Sequence, residues 1–303
     1  MQKLAKCPAC AGAASETKVV RHFRSGNRGD ILFTQLVECS CGHVFTNPQP
    51  SRDELAPFYE ADYHVFAGAG LDATSIDRLI VSRSCNGRFN HVKVLSGGRY
   101  LDVGCGLGMM VAAMSRLGMR AQGVEPSPIA ARRARAAGLV IFCGMLEDAR
   151  YESESFDRIS LYHVLEHAHD PVALLRECSR LLKPSGELVI GVPNYNSLVL
   201  SIVGSVWSAL DQPRHLHQFR PVSIRQAAER AGLRNTTMET ESLVEHVESE
   251  LVRFLRRRMF VPARLTLATK VARPVAALLA GIGIRSGRGE SIVARMEKIS
   301  SIN

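Results

Sequence analysis

The stretch Leu101-Asp102-Val103-Gly104-Cys105-Gly106-Leu107-Gly108 decides the fold, because an apolar strand pattern breaks there into a glycine-rich turn that opens a helix. Glycines let the backbone pass through conformations that a side chain forbids and let a ligand lie against the turn, where the helix start offers N–H groups. The spacing is G-x-G-x-G, whereas the dinucleotide fingerprint places its third glycine one position later, where Met109 stands. Pyrophosphate binding is thereby disfavoured. The next apolar segment ends in Gly123-Val124-Glu125-Pro126-Ser127, with Glu125 lying 23 residues (125 − 102) beyond Asp102. A carboxylate at that strand end can grip both hydroxyls of a ribose.

Outward from this turn, strand and helix patterns alternate: Tyr100 to Val103, a helix from Met109, Arg120 to Glu125, a helix from Pro128, then Leu139 to Cys143. Phe156-Asp157-Arg158-Ile159 opens a further strand that runs into His163-Val164-Leu165-Glu166-His167. Asp170-Pro171 starts a helix ending at Leu181-Leu182-Lys183-Pro184-Ser185-Gly186, and Glu187 to Asn194 follows as a strand. Such alternation predicts a doubly wound α/β sheet. Ligands in these sheets bind beyond the carboxyl ends of the strands, which places Asp102 to Gly108, Glu125, Gly144 to Glu147 and Tyr162 to His167 around one cleft.

These ordered blocks resemble the class I S-adenosylmethionine-dependent methyltransferases. The resemblance implies a Rossmann-like seven-stranded sheet and an enzyme of the methyltransferase class. It places the methionine end of S-adenosylmethionine against Asp102, Gly104, Cys105, Gly106 and Gly108, the ribose on Glu125, the adenine near Met145 and Leu146, and Tyr162 at the cleft. Many relatives have an acidic residue where Met145 falls, so backbone groups or Glu147 would have to meet the adenine amine.

The chain has 303 residues, 46% of them hydrophobic, enough for one large domain with appendages. Its start, Met1-Gln2-Lys3-Leu4-Ala5-Lys6-Cys7, lacks the apolar run of a secretion signal. No later segment offers about 20 uncharged apolar residues. The cytoplasm is the expected compartment. The net charge of +9 would suit an acidic partner, but single arginines on helix faces, as in Arg132, Arg133 and Arg135, are ordinary solvated surface.

Eight cysteines in such a chain argue for thiols and metal ligands over disulfides. Cys85, Cys105, Cys143 and Cys178 are scattered through predicted core elements. Cys7-Pro8-Ala9-Cys10 and Cys39-Ser40-Cys41-Gly42 instead form two close pairs and look like a zinc ribbon, in which four thiolates close a structural site. The second pair is C-x-C where ribbons usually have C-x-x-C, and unmetallated thiols are the alternative. The ribbon, with Gly42 to Pro50 and Phe58-Tyr59-Glu60-Ala61-Asp62-Tyr63 after it, resembles a bacterial group of sugar C-methyltransferases and polysaccharide-biosynthesis enzymes. In that group tyrosines between ribbon and core face the substrate, which nominates Tyr59 and Tyr63; packing in a linker helix is the other reading.

Methyl transfer needs an aligned nucleophile and a group to take its proton, a task that suits histidine. Two clusters compete: His163, Glu166, His167 and His169, and Asp211-Gln212-Pro213-Arg214-His215-Leu216-His217-Gln218-Phe219. Related quinone O-methyltransferases carry Glu-x-x-Glu-His in the first loop and use a divalent cation. Here His163 takes the first position, and the expected role of Leu165-Glu166-His167 is to close the start of the next helix, with His167 kept as a catalytic candidate. The sugar-enzyme resemblance makes His215 the general base with His217 beside it. Arg214 stands where those enzymes have glutamate, which suggests an anionic group on the acceptor.

The expected division is a zinc-ribbon-like segment over 1–50, a helical linker or cap over 51–98, a cofactor-binding core over 99–242 with an active-site flap at 196–220, a helical basic insertion over 243–289, and the last core strand over 290–303. Asn196 to Leu210 is expected as a helix over the active site. The insertion sets Arg253, Arg256, Arg257, Arg258, Arg264, Lys270 and Arg273 among apolar residues. A helical lid or dimer contact is the preferred reading, with peripheral contact at the anionic inner surface of a membrane as the alternative. The acceptor is expected to be a small molecule, a sugar or glycoconjugate, methylated at oxygen or carbon. A lipid or quinone O-methyltransferase, a nucleic-acid methyltransferase with a ribbon reader, and a non-catalytic cofactor-binding scaffold are the alternatives. Nucleic acid is disfavoured because no aromatic platform is interleaved with the basic residues. Nothing in the sequence reports the oligomeric state.

Overall fold

The computed structural model describes residues 1–27, 30–59, 91–259 and 266–299. Strands β1 (Lys18–Asn27) and β2 (Asp30–Glu38) form an antiparallel hairpin, and β3 (Val44–Thr46) pairs antiparallel with β2. A short helix α1 (Arg52–Leu55) follows, opened by a capping box in which Ser51 and Glu54 exchange hydrogen bonds.

The core runs β4 (Arg99–Val103), α2 (Met109–Arg116), β5 (Arg120–Glu125), α3 (Pro128–Ala136), β6 (Ile141–Cys143), β7 (Phe156–Tyr162), α4 (Pro171–Leu181), β8 (Leu182–Pro193). Then come α5 (Leu198–Val203), β9 (His217–Gln218), α6 (Pro221–Arg230), β10 (Leu233–Glu241), α7 (Val244–Met259), α8 (Thr266–Arg285) and β11 (Ser291–Lys298). Seven strands form one sheet in the order β10-β11-β8-β7-β4-β5-β6, parallel from β8 to β6, with β11 antiparallel to both its neighbours. This is the doubly wound sheet that the alternation predicts, with the seven strands that the resemblance implies.

Helix starts follow local chemistry. Ser127 and Asp170 accept from the backbone N–H groups of Ala130 and Ala173, each just before a proline at the first helical position. Along α4, Val172, Leu175, Cys178 and Leu181 recur on one face and bury against Leu161, Leu188 and Ile190 of the sheet. The opposite face of the sheet takes Met110 and Met114 of α2 against Tyr100 and Val189.

Two features differ from expectation. The helix expected from Asn196 to Leu210 is only α5, because Gly204 adopts φ +60° and the chain continues as two short 3-10 turns, Gly204–Val206 and Ser208–Leu210. The front end also does not stand apart: β9, two residues of the flap, pairs with β3 and completes the sheet β1-β2-β3-β9. A cluster of Leu36, Val44, Trp207, Leu210, Val247 and Ala276 packs that sheet, the flap, α7 and α8 into one core. Among the described residues no helix is long and apolar enough to cross a membrane.

Candidate active site

At the end of β4 the chain turns through Gly104 (φ +67°), Gly106 (φ +56°) and Gly108 (φ +81°) before α2. A Cβ on Gly104 would lie 2.5 Å from Val164 Cγ2, and one on Gly108 would lie 2.5 Å from Leu139 Cδ1. Both conformation and packing therefore demand glycine. Asp102 is buried and accepts a 2.6 Å hydrogen bond from Ser160 Oγ on β7, while Tyr100 OH lies 2.6 Å from the same Ser160 oxygen.

Glu125, at the end of β5, braces the turn: its Oε2 accepts from Gly106 N at 2.7 Å and its Oε1 from Ser127 N at 2.8 Å. Burial pushes its carboxyl up, against those two backbone hydrogen bonds. Cys105 is buried with its sulfur in the space beside Gly123, and burial with the charges of Asp102 and Glu125 pushes its thiol well up. It packs rather than reacts. Met145 is half-buried, Leu146 is buried in the 3-10 turn after β6, and Gly144 N donates to Glu125 O at 3.1 Å. Tyr162 ends β7 with its ring laid on Gly191.

Two buried carboxylates flanking a turn of three positive-φ glycines fit S-adenosylmethionine, whose ammonium and sulfonium are cationic and whose ribose offers hydroxyl donors. They would repel a pyrophosphate.

The second cluster touches this turn through Val164. His163 adopts φ +56°, and its Nδ1–H donates to Glu166 Oε1 at 3.2 Å. Glu166 is fully buried, and its Oε2 has no partner among the described residues. Burial works against its charge, but the His163 hydrogen bond and the neighbouring imidazoles hold its carboxyl down to about 2. The helix start is closed by Asp170 instead, so the capping role expected of Leu165-Glu166-His167 is corrected. These three residues form a 3-10 turn that aims a carboxylate inward.

His167 Nδ1 lies 3.1 Å from Arg214 O and 2.9 Å from Tyr59 OH. A carbonyl only accepts, so Nδ1 carries the hydrogen and Nε2 the lone pair. Burial and nearby His215 push His167 down to about 4, so it is neutral at pH 7. The ring of His215 stands edge-on to that of His167, with centroids 4.6 Å apart. Its Nδ1–H donates to Ala209 O at 2.8 Å, which leaves Nε2 3.5 Å from Asp211 Oδ2. The donor atoms of Glu166, His167 and His215 come within 4.8 Å of one another, a grouping that could also receive a cation.

His217 has no nitrogen to spare. Its Nε2–H donates to Ala168 O at 2.9 Å, so its Nδ1 accepts from His43 Nε2–H at 3.1 Å. His217 and His43 stack with centroids 5.3 Å apart, and burial pushes both down, His217 to about 4. This geometry withdraws His217 from the catalytic candidates, because a base must offer a lone pair to the acceptor. Arg214, expected to meet an acceptor anion, is held by Asp211 through two hydrogen bonds of 2.5 and 3.1 Å and donates to Phe58 O at 3.3 Å. An internal carboxylate three residues away takes the role assigned to substrate. Tyr63 lies outside the described residues, and among the described residues Tyr59 is the tyrosine that reaches the histidines. Sequence reading missed His43; its only local signal was a histidine inside an apolar strand entry.

The four front-end cysteines converge. Cys7 and Cys41 sulfurs are 3.8 Å apart and Cys10 and Cys39 sulfurs 3.7 Å apart. A tetrahedron with arms of about 2.3 Å has edges of about 3.8 Å, so the spacing fits zinc and excludes disulfides of about 2.05 Å. Ala11 (φ +64°) and Gly42 (φ +84°) turn the two knuckles, and Gly12 N donates to Cys10 Sγ at 3.3 Å. The C-x-C pair therefore closes the same kind of cluster as C-x-x-C.

Residues 88–238 match the family model described as a methyltransferase domain. The core of this chain is a methyltransferase domain. Among curated proteins, a ubiquinone biosynthesis O-methyltransferase of Xanthomonas oryzae pv. oryzae (strain PXO99A) is 35% identical over 158 residues, covering 49% of this chain and 66% of that protein. One of the same name from Xylella fastidiosa (strain 9a5c) is 32% identical over 160 residues, covering 49% and 64%. The chain thus spans just under two thirds of these relatives' length, and about half of it lies outside the match. A solved S-adenosylmethionine-dependent methyltransferase from Archaeoglobus fulgidus superposes with a TM-score of 0.52 at 17% identity over 78% of this chain and 97% of that one. A Haloferax volcanii methyltransferase complex with its Trm112 activator gives 0.52 at 19% identity over 72% and 89%. Both show the fold of the methyltransferase domain.

Proposed function

We propose that the protein transfers a methyl group from S-adenosylmethionine to a small hydroxyl- or carbon-nucleophile acceptor of the sugar or glycoconjugate class. The observation that carries this is the contact of Val164 with Gly104, which sets the Glu166–His167–His215 cluster against the glycine turn at the carboxyl edge of the sheet. Asp102 and the Gly104–Gly108 turn hold the methionine end, Glu125 the ribose, and Leu146 with Met145 the adenine. When bound, S-adenosylmethionine supplies a methyl carbon activated by its sulfonium. His215 Nε2, or His167 Nε2 beside it, accepts the acceptor's proton. Asp211 and Glu166 stabilise the imidazolium that results. Tyr59 fixes the orientation of His167.

The name of the Xanthomonas and Xylella relatives favours a second acceptor class, the ring hydroxyl of a quinone precursor. Incubation with S-adenosylmethionine and separate panels of nucleotide sugars, glycans and catechols, read by release of S-adenosylhomocysteine, distinguishes the two. Turnover of the sugar panel supports the first reading, and turnover confined to catechols replaces it. We also assign zinc to Cys7, Cys10, Cys39 and Cys41 as a structural ion; metal analysis of the purified chain should give about one equivalent.

A further inference from the structure

We propose that the outer face of α8 is a docking surface for an anionic lipid bilayer. Residues 274–284, Pro-Val-Ala-Ala-Leu-Leu-Ala-Gly-Ile-Gly-Ile, carry no polar side chain. Ala276 and Ala280 face inward and are buried in the cluster with Trp207 and Val247. Outward, Val275, Leu278, Ile282 and Ile284 are 42%, 63%, 45% and 46% exposed. The spacing of Val275, Leu278 and Ile282 lines them along one side of the helix. An apolar strip of this kind on an otherwise folded surface marks a contact.

Charge identifies the occupant. From Leu251 to Gly289 the sequence carries nine Lys and Arg and no Asp or Glu, out of 38 and 29 in the chain. The remaining residues balance at 29 cations against 29 carboxylates, so the whole net charge of +9 resides in this segment. Arg273 is paired with Glu245 and Glu248 of α7 and Arg253 with Glu250, and both are exposed around the helix pair together with Arg256, Arg257 and Arg285. A second copy meeting this face through a two-fold axis would bring two such cationic segments together. Nucleic acid offers no apolar surface to match the strip. An anionic bilayer meets both halves, with acyl chains under Leu278 and Ile282 and headgroups on the arginines.

The contact would bear on the flap, because α7 and α8 pack on it: Ser208 N donates to Glu250 Oε2 at 3.1 Å, and Ala209 O holds His215. The inference stands independently of the acceptor's identity.

The test is co-sedimentation of the full chain with phosphatidylcholine vesicles and with vesicles of equimolar phosphatidylcholine and phosphatidylglycerol. The chain should pellet with the anionic vesicles only and be partly released by salt. Leu278→Glu/Ile282→Glu should lower its partition by at least about tenfold, and Leu278→Ser/Ile282→Ser, which adds no charge, by less. Melting curves and S-adenosylhomocysteine affinity of both variants should match the parent. Absence of pelleting, equal pelleting on neutral vesicles, or unchanged pelleting of the glutamate variant would overturn the proposal. A concentration-dependent dimer dissolved by these substitutions would give the face to a second copy instead.

Discussion

His215 and His217 lie two residues apart and have different capacities, because one keeps a lone pair next to a carboxylate and the other spends both nitrogens on Ala168 and His43. His215→Ala should leave S-adenosylhomocysteine affinity within about twofold and lower kcat by roughly 10²–10⁴ with an accepted substrate. His217→Ala should instead cost about 2–4 kcal/mol of stability, since it strands the half-buried Ala168 carbonyl and the buried His43 N–H; a melting curve reads it. Glu290 gives a pH-dependent case. It is buried near Glu250, and burial first, then that charge, pushes its carboxyl from 4.5 to about 7. Between those values the unfolded chain has released a proton that the folded chain retains, so stability falls as pH rises through about 4.5 to 7 and stays lowered above. Glu290→Gln should therefore melt several degrees above the parent at pH 8, by up to ~3 kcal/mol, and coincide with it near pH 4. Equal melting at both pH values would remove this account of Glu290.

At the scale of elements, the shortest strand has the widest consequence. β9 joins the cysteine cluster's sheet to the flap through pairing of Phe45 with His217 and through Thr46 N donating to Leu216 O at 2.8 Å. Gln212 adds to the join, accepting from Thr34 Oγ1 of β2 at 3.0 Å and donating to His215 O at 2.5 Å. Loss of the proposed zinc should then disturb the acceptor side more than the cofactor side. Chelation, or Cys39→Ala, should lower the melting temperature and turnover while S-adenosylhomocysteine affinity stays nearly unchanged; an equal loss of both would contradict that coupling. The glycine turn, Glu125 and strands such as Arg120–Glu125 were legible because their signals are local: glycine spacing, strand ends and apolar patterning. The His43–His217 and Tyr59–His167 contacts span 174 and 108 residues and leave no periodic trace. A two-residue strand cannot carry a pattern, and the break at Gly204 inside an apolar run was hidden by the run itself.

For the whole molecule, one sheet holds the proposed cofactor site, a second sheet with the flap walls the histidine cluster, and α7 and α8 cover the flap from outside. The late return of β11 between β8 and β10 makes that cover a built part of the core, since the helices leave from β10 and return into the sheet's interior. Everything proposed about acceptor and base presupposes that Asp102, the glycine turn and Glu125 bind S-adenosylmethionine. Calorimetric titration with S-adenosylhomocysteine, on the parent and on Glu125→Ala checked for folding by its melting curve, tests this most directly. The structure predicts one site per chain in the parent and affinity weakened at least about tenfold in the variant, which loses the ribose carboxylate and the brace on Gly106 N. No binding by the folded parent, or undiminished binding by the variant, would contradict it.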